Sequence, residues 1–95
     1  MVINDKNNFV SMVARLLKGL GYSDVKENTA DSAIDITAVK DGEKYCFKCR
    51  YDIDAIGSSY IKDFAAASGN YDKRVFVTNS SFLSAAKKLG EEQGI

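Results

Sequence analysis

Ninety-five residues suffice for one small domain with a modest core, and the whole chain, 1–95, is read as one such domain. Thirteen basic and thirteen acidic residues cancel, which argues against strong non-specific phosphate binding while leaving room for a local basic patch. No apolar run approaches the roughly 18–20 residues that span a bilayer, and the N-terminus lacks a signal peptide's basic-then-apolar order, so the expectation is a soluble cytoplasmic protein with no membrane partner.

The segment Asp5 to Leu20 carries Phe9, Val13, Leu16, Leu17 and Leu20 at helical spacing, which predicts a helix with one buried stripe. Asn4 or Asp5 is placed to cap its start, and Gly19 or Gly21 to end it. Tyr22 to Lys26 reads as a short strand and Glu27 to Asp31 as a polar turn. In Ser32 to Val39, Ile34, Ile36 and Ala38 alternate with Asp35 and Thr37, the mark of a half-buried strand. Asp41-Gly42 within Lys40 to Glu43 is a hairpin turn. The following strand, Lys44 to Tyr51, sets Phe47, Cys49 and Tyr51 on one face and Cys46, Lys48 and Arg50 on the other. Asp52 to Ser59 is a loop. Tyr60, Ile61, Phe64, Ala65 and Ala67 predict a second helix that stops near Gly69. Arg74 to Thr78 is a short apolar strand expected to be covered on both faces. A third helix runs through Phe82, Ala85, Ala86 and Leu89, capped by Ser80 or Ser81 and ending near Gly90. There is no proline, repeat or low-complexity tract.

The order α-β-β-β-α-β-α, an antiparallel meander followed by a helical crossover to a further strand, predicts an α/β fold: a mixed β-sheet flanked by helices. The two cysteines, Cys46 and Cys49, lie three apart in one strand and so point to opposite faces. They are read as buried, inert thiols. Without histidine, a Cys/His zinc site and Ser-His or Cys-His catalysis are excluded.

The hairpin brings Asp35 beside the basic-x-basic pair Lys48 and Arg50. An Asp next to a basic-x-basic strand is the layout of a metal-dependent nuclease core. Longer stretches carry the same suggestion. Phe9 to Tyr22 is similar to an opening F-E-x-x-x-x-x-L-L-x-x-x-G-Y, and Thr29 to Ile36 to G-A-D-G-G-I-D-L. Phe47 to Tyr51 stands where V-Q-C-K-R-Y is found. Val75 to Phe82 with Ala85-Ala86, ending at Gly94-Ile95, is similar to G-V-x-V-T-x-S-x-F-x-x-x-A and a closing G-I. In this order and spacing the chain resembles the Mrr-type restriction endonuclease domain of the PD-(D/E)xK nuclease superfamily, over nearly its whole length.

The resemblance implies a restriction-endonuclease-like fold, DNA as partner, and a catalytic set at Asp35, Lys48 and Arg50, with Asp35 the metal ligand. Asp35 is retained. The second metal-holding position is occupied by Lys48, the catalytic lysine by Arg50, the first-helix glutamate by Val10, and the paired glycines before the aspartate by Ser32 and Ala33. Mg²⁺ needs oxygen ligands, and Lys48 brings a positive charge to where one belongs. Guanidinium does not shift its pKa to manage protons, as lysine does. The expected cofactor is therefore none, with Mg²⁺ if the site is active.

Two readings of the altered site stand side by side: a salt-bridged cluster of Asp35 with Lys48 and Arg50, and a net-positive pocket whose cations hold a DNA phosphate. Lys44, Lys62 and Ser59, with Ser58 and Tyr60 beside it offering hydroxyls and amides to a phosphate, are further candidates for DNA contact, set against a scattered solvated surface for the lysines, Lys40 included, and simple N-capping at the start of the second helix. Lys73-Arg74 reads as solvated surface, and Lys87-Lys88 as charges favouring a helix C-terminus. Glu27 and Glu43 are minor candidates for a replacement ligand. The expected function is a DNA-binding domain with a degraded catalytic site, weak or inactive. The alternatives are an active Mg²⁺-dependent endonuclease with an atypical site, and an interaction or homodimerisation module using a free edge strand.

Overall fold

A computed structural model describes residues 6–28 and 33–95. The expected caps at Asn4 and Asp5 and the segment 29–32 lie outside the described residues. The order is α1 (Lys6–Gly19), β1 (Ser23–Glu27), β2 (Ile36–Lys40), β3 (Glu43–Arg50), α2 (Ser58–Ala67), β4 (Lys73–Thr78) and α3 (Ser84–Gln93). This is the predicted α-β-β-β-α-β-α order. The four strands stand side by side as β1-β2-β3-β4. The first three form an antiparallel meander, and β4 runs parallel to β3.

The β2–β3 hairpin closes as its sequence demands. Asp41 and Gly42 have φ of 54° and 78°, the two positive values of a type I′ turn, whose twist matches that of the flanking strands. The resulting register places Ile36 opposite Phe47 and Ala38 opposite Tyr45. Those four residues face α1.

The α1 face holds the main core. Phe9, Val10, Val13, Ala14 and Leu17 pack against Ile36, Ala38, Phe47 and Cys49, with Val75 and Val77 of β4 joining from the edge. The predicted stripe is thereby rotated. Leu16 and Leu20 are 59% and 56% exposed, because the contact line runs along positions 9, 10, 13, 14 and 17. Small Ala14 lets the helix sit close, and Leu16 falls about a quarter-turn off that line. The opposite face is covered by α2 and α3. There Phe64 and Phe82 meet Phe76 of β4 edge-on, at centroid distances of 5.9 and 5.6 Å.

Three further expectations are corrected. Strand β4 has helices over both faces, yet its residues from Arg74 onward are only half-buried because it ends the sheet. Helix α2 begins at Ser58, with Gly57 as its capping residue and no side-chain cap. Helix α3 begins at Ser84 after Leu83, again without a side-chain cap. Ser80 and Ser81 are used elsewhere. Ser80 Oγ donates to the Asp54 carbonyl at 2.8 Å, and the Ser81 carbonyl accepts from Ile56 N–H at 2.7 Å. These bonds staple the α2 approach loop to the start of α3 and seat Phe82 on Phe76.

Helix α3 also runs past Gly90 to Gln93 and stops at Gly94, whose φ of 73° suits a left-handed C-cap. Lys87 and Lys88 therefore sit in mid-helix. It is Arg74, from β4, that donates to the Gln93 carbonyl at the C-terminal end.

Candidate functional site

Asp35 lies where the chain enters β2. Its N–H donates to the Phe47 carbonyl at 2.9 Å, and its carbonyl accepts from Asn28 N–H at 2.8 Å. The backbone is thus pinned between the neighbouring chain segments, and the carboxylate points along the face shared with Lys48. The Asp35 residue is 5% exposed. Its Oδ2 accepts the Cys49 N–H at 2.7 Å and stands 3.5 Å from Lys48 Nζ. The carboxylate serves as the acceptor that Cys49 N–H needs at the strand end, and it balances a lysine only 14% exposed at its side chain. A buried charge is stable only when paired and hydrogen-bonded.

Arg50 shares that face but takes another partner. Its Nη2 donates to Asp52 Oδ2 at 2.7 Å and to the Tyr60 hydroxyl at 3.2 Å. The guanidinium carbon lies over the Tyr60 ring, 4.3 Å from its centroid, a cation–π contact. Nε is buried with no hydrogen-bond partner, which costs on the order of 1–3 kcal/mol for such a donor.

Asp52 is rigidly held. Its N–H donates to Asn79 Oδ1 at 2.8 Å, and its Oδ1 accepts from the N–H groups of Ile53 and Asp54 at 2.8 and 3.2 Å. The Arg50 bond, with these amides in support, holds the Asp52 carboxyl below its ordinary pKa. Thr78 Oγ1 donates to the Arg50 carbonyl at 2.8 Å, fixing the end of β3 against β4.

The expected net-positive pocket is therefore corrected. Lys48 and Arg50 each have a carboxylate, Asp35 and Asp52 respectively, and the four charges balance. Asp52 escaped the sequence reading because it was assigned to the loop. The period-two pattern of 48 and 50 extends to 52, and that was the available signal. Tyr60, expected both in the helix stripe and beside Ser58 and Ser59 as a candidate for phosphate contact, is 37% exposed.

The other candidates are dispersed. Lys44, at the far end of β3, is about 20 Å along the strand from Arg50, and its N–H bonds Asp72 Oδ2 at 2.8 Å. Lys62 borders a groove with Leu89 and Gln93 of α3, two positions and hence over half a turn around α2 from Tyr60. Ser59 is exposed in the first turn of α2, beside Tyr60. Lys40 donates to the Leu20 carbonyl at 3.3 Å and lies over Tyr22, so it closes the end of α1. Glu27 accepts from Ser11 Oγ at 2.9 Å, and Glu43 pairs with Lys73 at 3.8 Å. Val10, which the resemblance puts at the family's glutamate position, is buried in the α1 core.

The described residues do not fit a divalent cation. Asp35 Oδ2 is engaged by an N–H and an ammonium. No group of three or more His, Cys, Asp or Glu that could hold a metal occurs among the described residues. Two like unit charges about 4 Å apart repel by about 4 kcal/mol at a surface-like dielectric, and a divalent ion doubles this. Cys46 and Cys49 offer no ligands either. Both are buried and in no disulfide, they lie on opposite faces, and burial pushes the Cys46 thiol up to about 11.

A family model described as restriction endonuclease, the Mrr catalytic domain, matches residues 4–95. The chain belongs to this restriction endonuclease family. No curated protein matches it significantly. Among solved structures it is similar to AF1548, described as a protein of unknown function, with a TM-score of 0.79 and 27% identity. The match covers 90% of this chain and 53% of that one, so the chain spans about half the length of that neighbour. No helix among the described residues is long and apolar enough to cross a membrane.

Proposed function

We propose that this restriction-endonuclease-like domain binds DNA and that its metal-dependent chemistry is lost or very weak. The observation that carries the reading is the Lys48–Asp35 ion pair at 3.5 Å. It sets an ammonium on the oxygen that the family's layout would give to a metal. With Arg50 in place of lysine, the basic pair is suited to holding a phosphate rather than to managing protons.

Asp35, Lys48 and Arg50 are the remnant of the catalytic set, with Asp35 its metal-binding member. Arg50 and Ser59 would meet one stretch of backbone, with Lys48 behind them held by Asp35 and adding its charge from there. Lys44 and Lys62 reach only flanking phosphates. Mg²⁺ is the cofactor only if activity persists, and the site of action is the cytoplasm. The test is a plasmid-nicking assay in Mg²⁺ and Mn²⁺ alongside a duplex-binding titration. We expect salt-sensitive binding with no nicking above background. Robust nicking that Asp35→Asn abolishes would overturn the reading.

An interaction or homodimerisation module is the second reading. It is supported by the terminal position of β4 in the sheet and by the exposed Met12, Leu16 and Leu20 at four-residue spacing on and just beyond α1. A monomer at all concentrations in analytical ultracentrifugation would remove the homodimer from consideration.

A further inference from the structure

We infer that Asp52 is an internal competitor of DNA phosphate for Arg50. The inference rests on the DNA-binding reading and adds to it the residue that sets affinity.

Three observations support it. First, the Arg50–Asp52 contact is made through a single guanidinium nitrogen, Nη2. Arginine presents five N–H donors in a planar fork, and a phosphate takes two of them in parallel. A single-nitrogen carboxylate contact is the weaker arrangement. Second, Nε is buried and without a partner, so departure from the present pose sacrifices no bond at that atom. Third, Asp52 cannot follow. Its N–H bonds Asn79 and its Oδ1 accepts two amides, so exchange requires movement of Arg50 alone. At 30% side-chain exposure Arg50 has access to solvent. Lys48 differs in its enclosure: its side chain is 14% exposed, against 30% for Arg50.

The experiment compares wild type, Asp52→Asn, Arg50→Ala and the double variant. Binding of a fluorescent 16-base-pair duplex is followed by anisotropy at several salt concentrations. Inorganic phosphate is titrated separately, with the Arg50 Nε–H signal read by NMR. Asparagine preserves the Oδ1 acceptor for Ile53 and Asp54, and a thermal melt verifies the fold. Asp52→Asn should tighten duplex binding about two- to fivefold, the factor to which an exposed ion pair converts. It should also steepen the salt dependence by about one unit of slope. The double variant should match Arg50→Ala, since the carboxylate acts only through the arginine. Phosphate should shift the Arg50 signal at lower concentration in Asp52→Asn than in wild type.

Unchanged or weaker duplex binding by Asp52→Asn, while Arg50→Ala still weakens it, overturns the competition and leaves the DNA reading intact. If no variant binds the duplex, yet phosphate reaches Arg50 more readily in Asp52→Asn, the competition stands and the DNA reading falls. Tightening that persists in the double variant also overturns the proposal, because it marks a general charge effect.

Discussion

Lys48 and Arg50 leave β3 on the same face, two residues apart, and each meets a carboxylate. The surroundings of the two pairs differ. Lys48 and Asp35 are nearly enclosed, with side chains 14% and 7% exposed, whereas Arg50 and Asp52 are 30% and 24% exposed. Enclosure makes the first pair the costlier to break, because both charges are held mostly away from water. The rim position makes the second pair exchangeable, because water and salt compete for both partners. One strand thus carries a structural ion pair and a displaceable one, and the depth of the partner carboxylate decides which is which.

Three outcomes would break or sharpen that contrast. The largest effect should follow Asp35→Ala, which removes the carboxylate that pairs with Lys48 and accepts the Cys49 N–H. We expect a loss of about 3 kcal/mol or more in urea unfolding, with much of it recovered by Lys48→Met in the same chain. An unfolding midpoint for Asp35→Ala equal to wild type would show that the buried pair is as dispensable as the rim pair.

An intermediate effect belongs to the same face, at Cys46. Its thiol is raised by burial from 9.0 to about 11, so the folded state binds its proton more tightly than the unfolded chain does. Its contribution is fully present below pH 9 and is lost as pH rises through about 11. The decline should be on the order of 2 kcal/mol. Tyr45, also raised chiefly by burial, adds in the same direction above its ordinary value of 10.0. Cys46→Ala should flatten the stability profile between pH 9 and 11, and an unaltered slope would show that the thiol titrates freely.

The smallest effect on stability should be that of Asp52→Asn, whose urea midpoint should barely move at neutral pH. Its carboxyl is held below the ordinary value, mainly by Arg50. Whatever stability it contributes is present above about pH 4 and disappears as pH falls below it. Acid unfolding of Asp52→Asn should therefore be slightly less steep than that of wild type. A large loss at pH 7 would place Asp52 among the structural carboxylates, beside Asp35.

The fold was largely legible because its signals are local. The Asp41-Gly42 turn, the alternation in Ile36–Lys40 and Glu43–Arg50, and the helical spacing from Phe9 to Leu17 each act over a few residues. Their order leaves few topologies open. The errors arose where a distant partner decides. Leu16 and Leu20 were assigned to the core because the spacing does not say which edge of the stripe the sheet will touch. Ser80 and Ser81 look like helix caps, but Ile56 and Asp54 claim them across the loop.

For the site, the sequence alone determined that one acidic and two basic side chains share the end of a hairpin; the resemblance implied that Lys48 and Arg50 stand at the family's second metal-ligand and catalytic-lysine positions. Strand periodicity and a two-residue turn are enough for the former. Only the tertiary structure decided which charge answers which. Asp35 is turned inward by a backbone amide of the neighbouring strand, and Asp52 is held under Arg50 by Asn79 and its own loop amides. Those contacts join residues as far as 27 positions apart, and electrostatic pairing depends on distance in space, on burial and on the hydrogen bonds that fix each carboxylate, none of which is encoded in any short stretch of the chain.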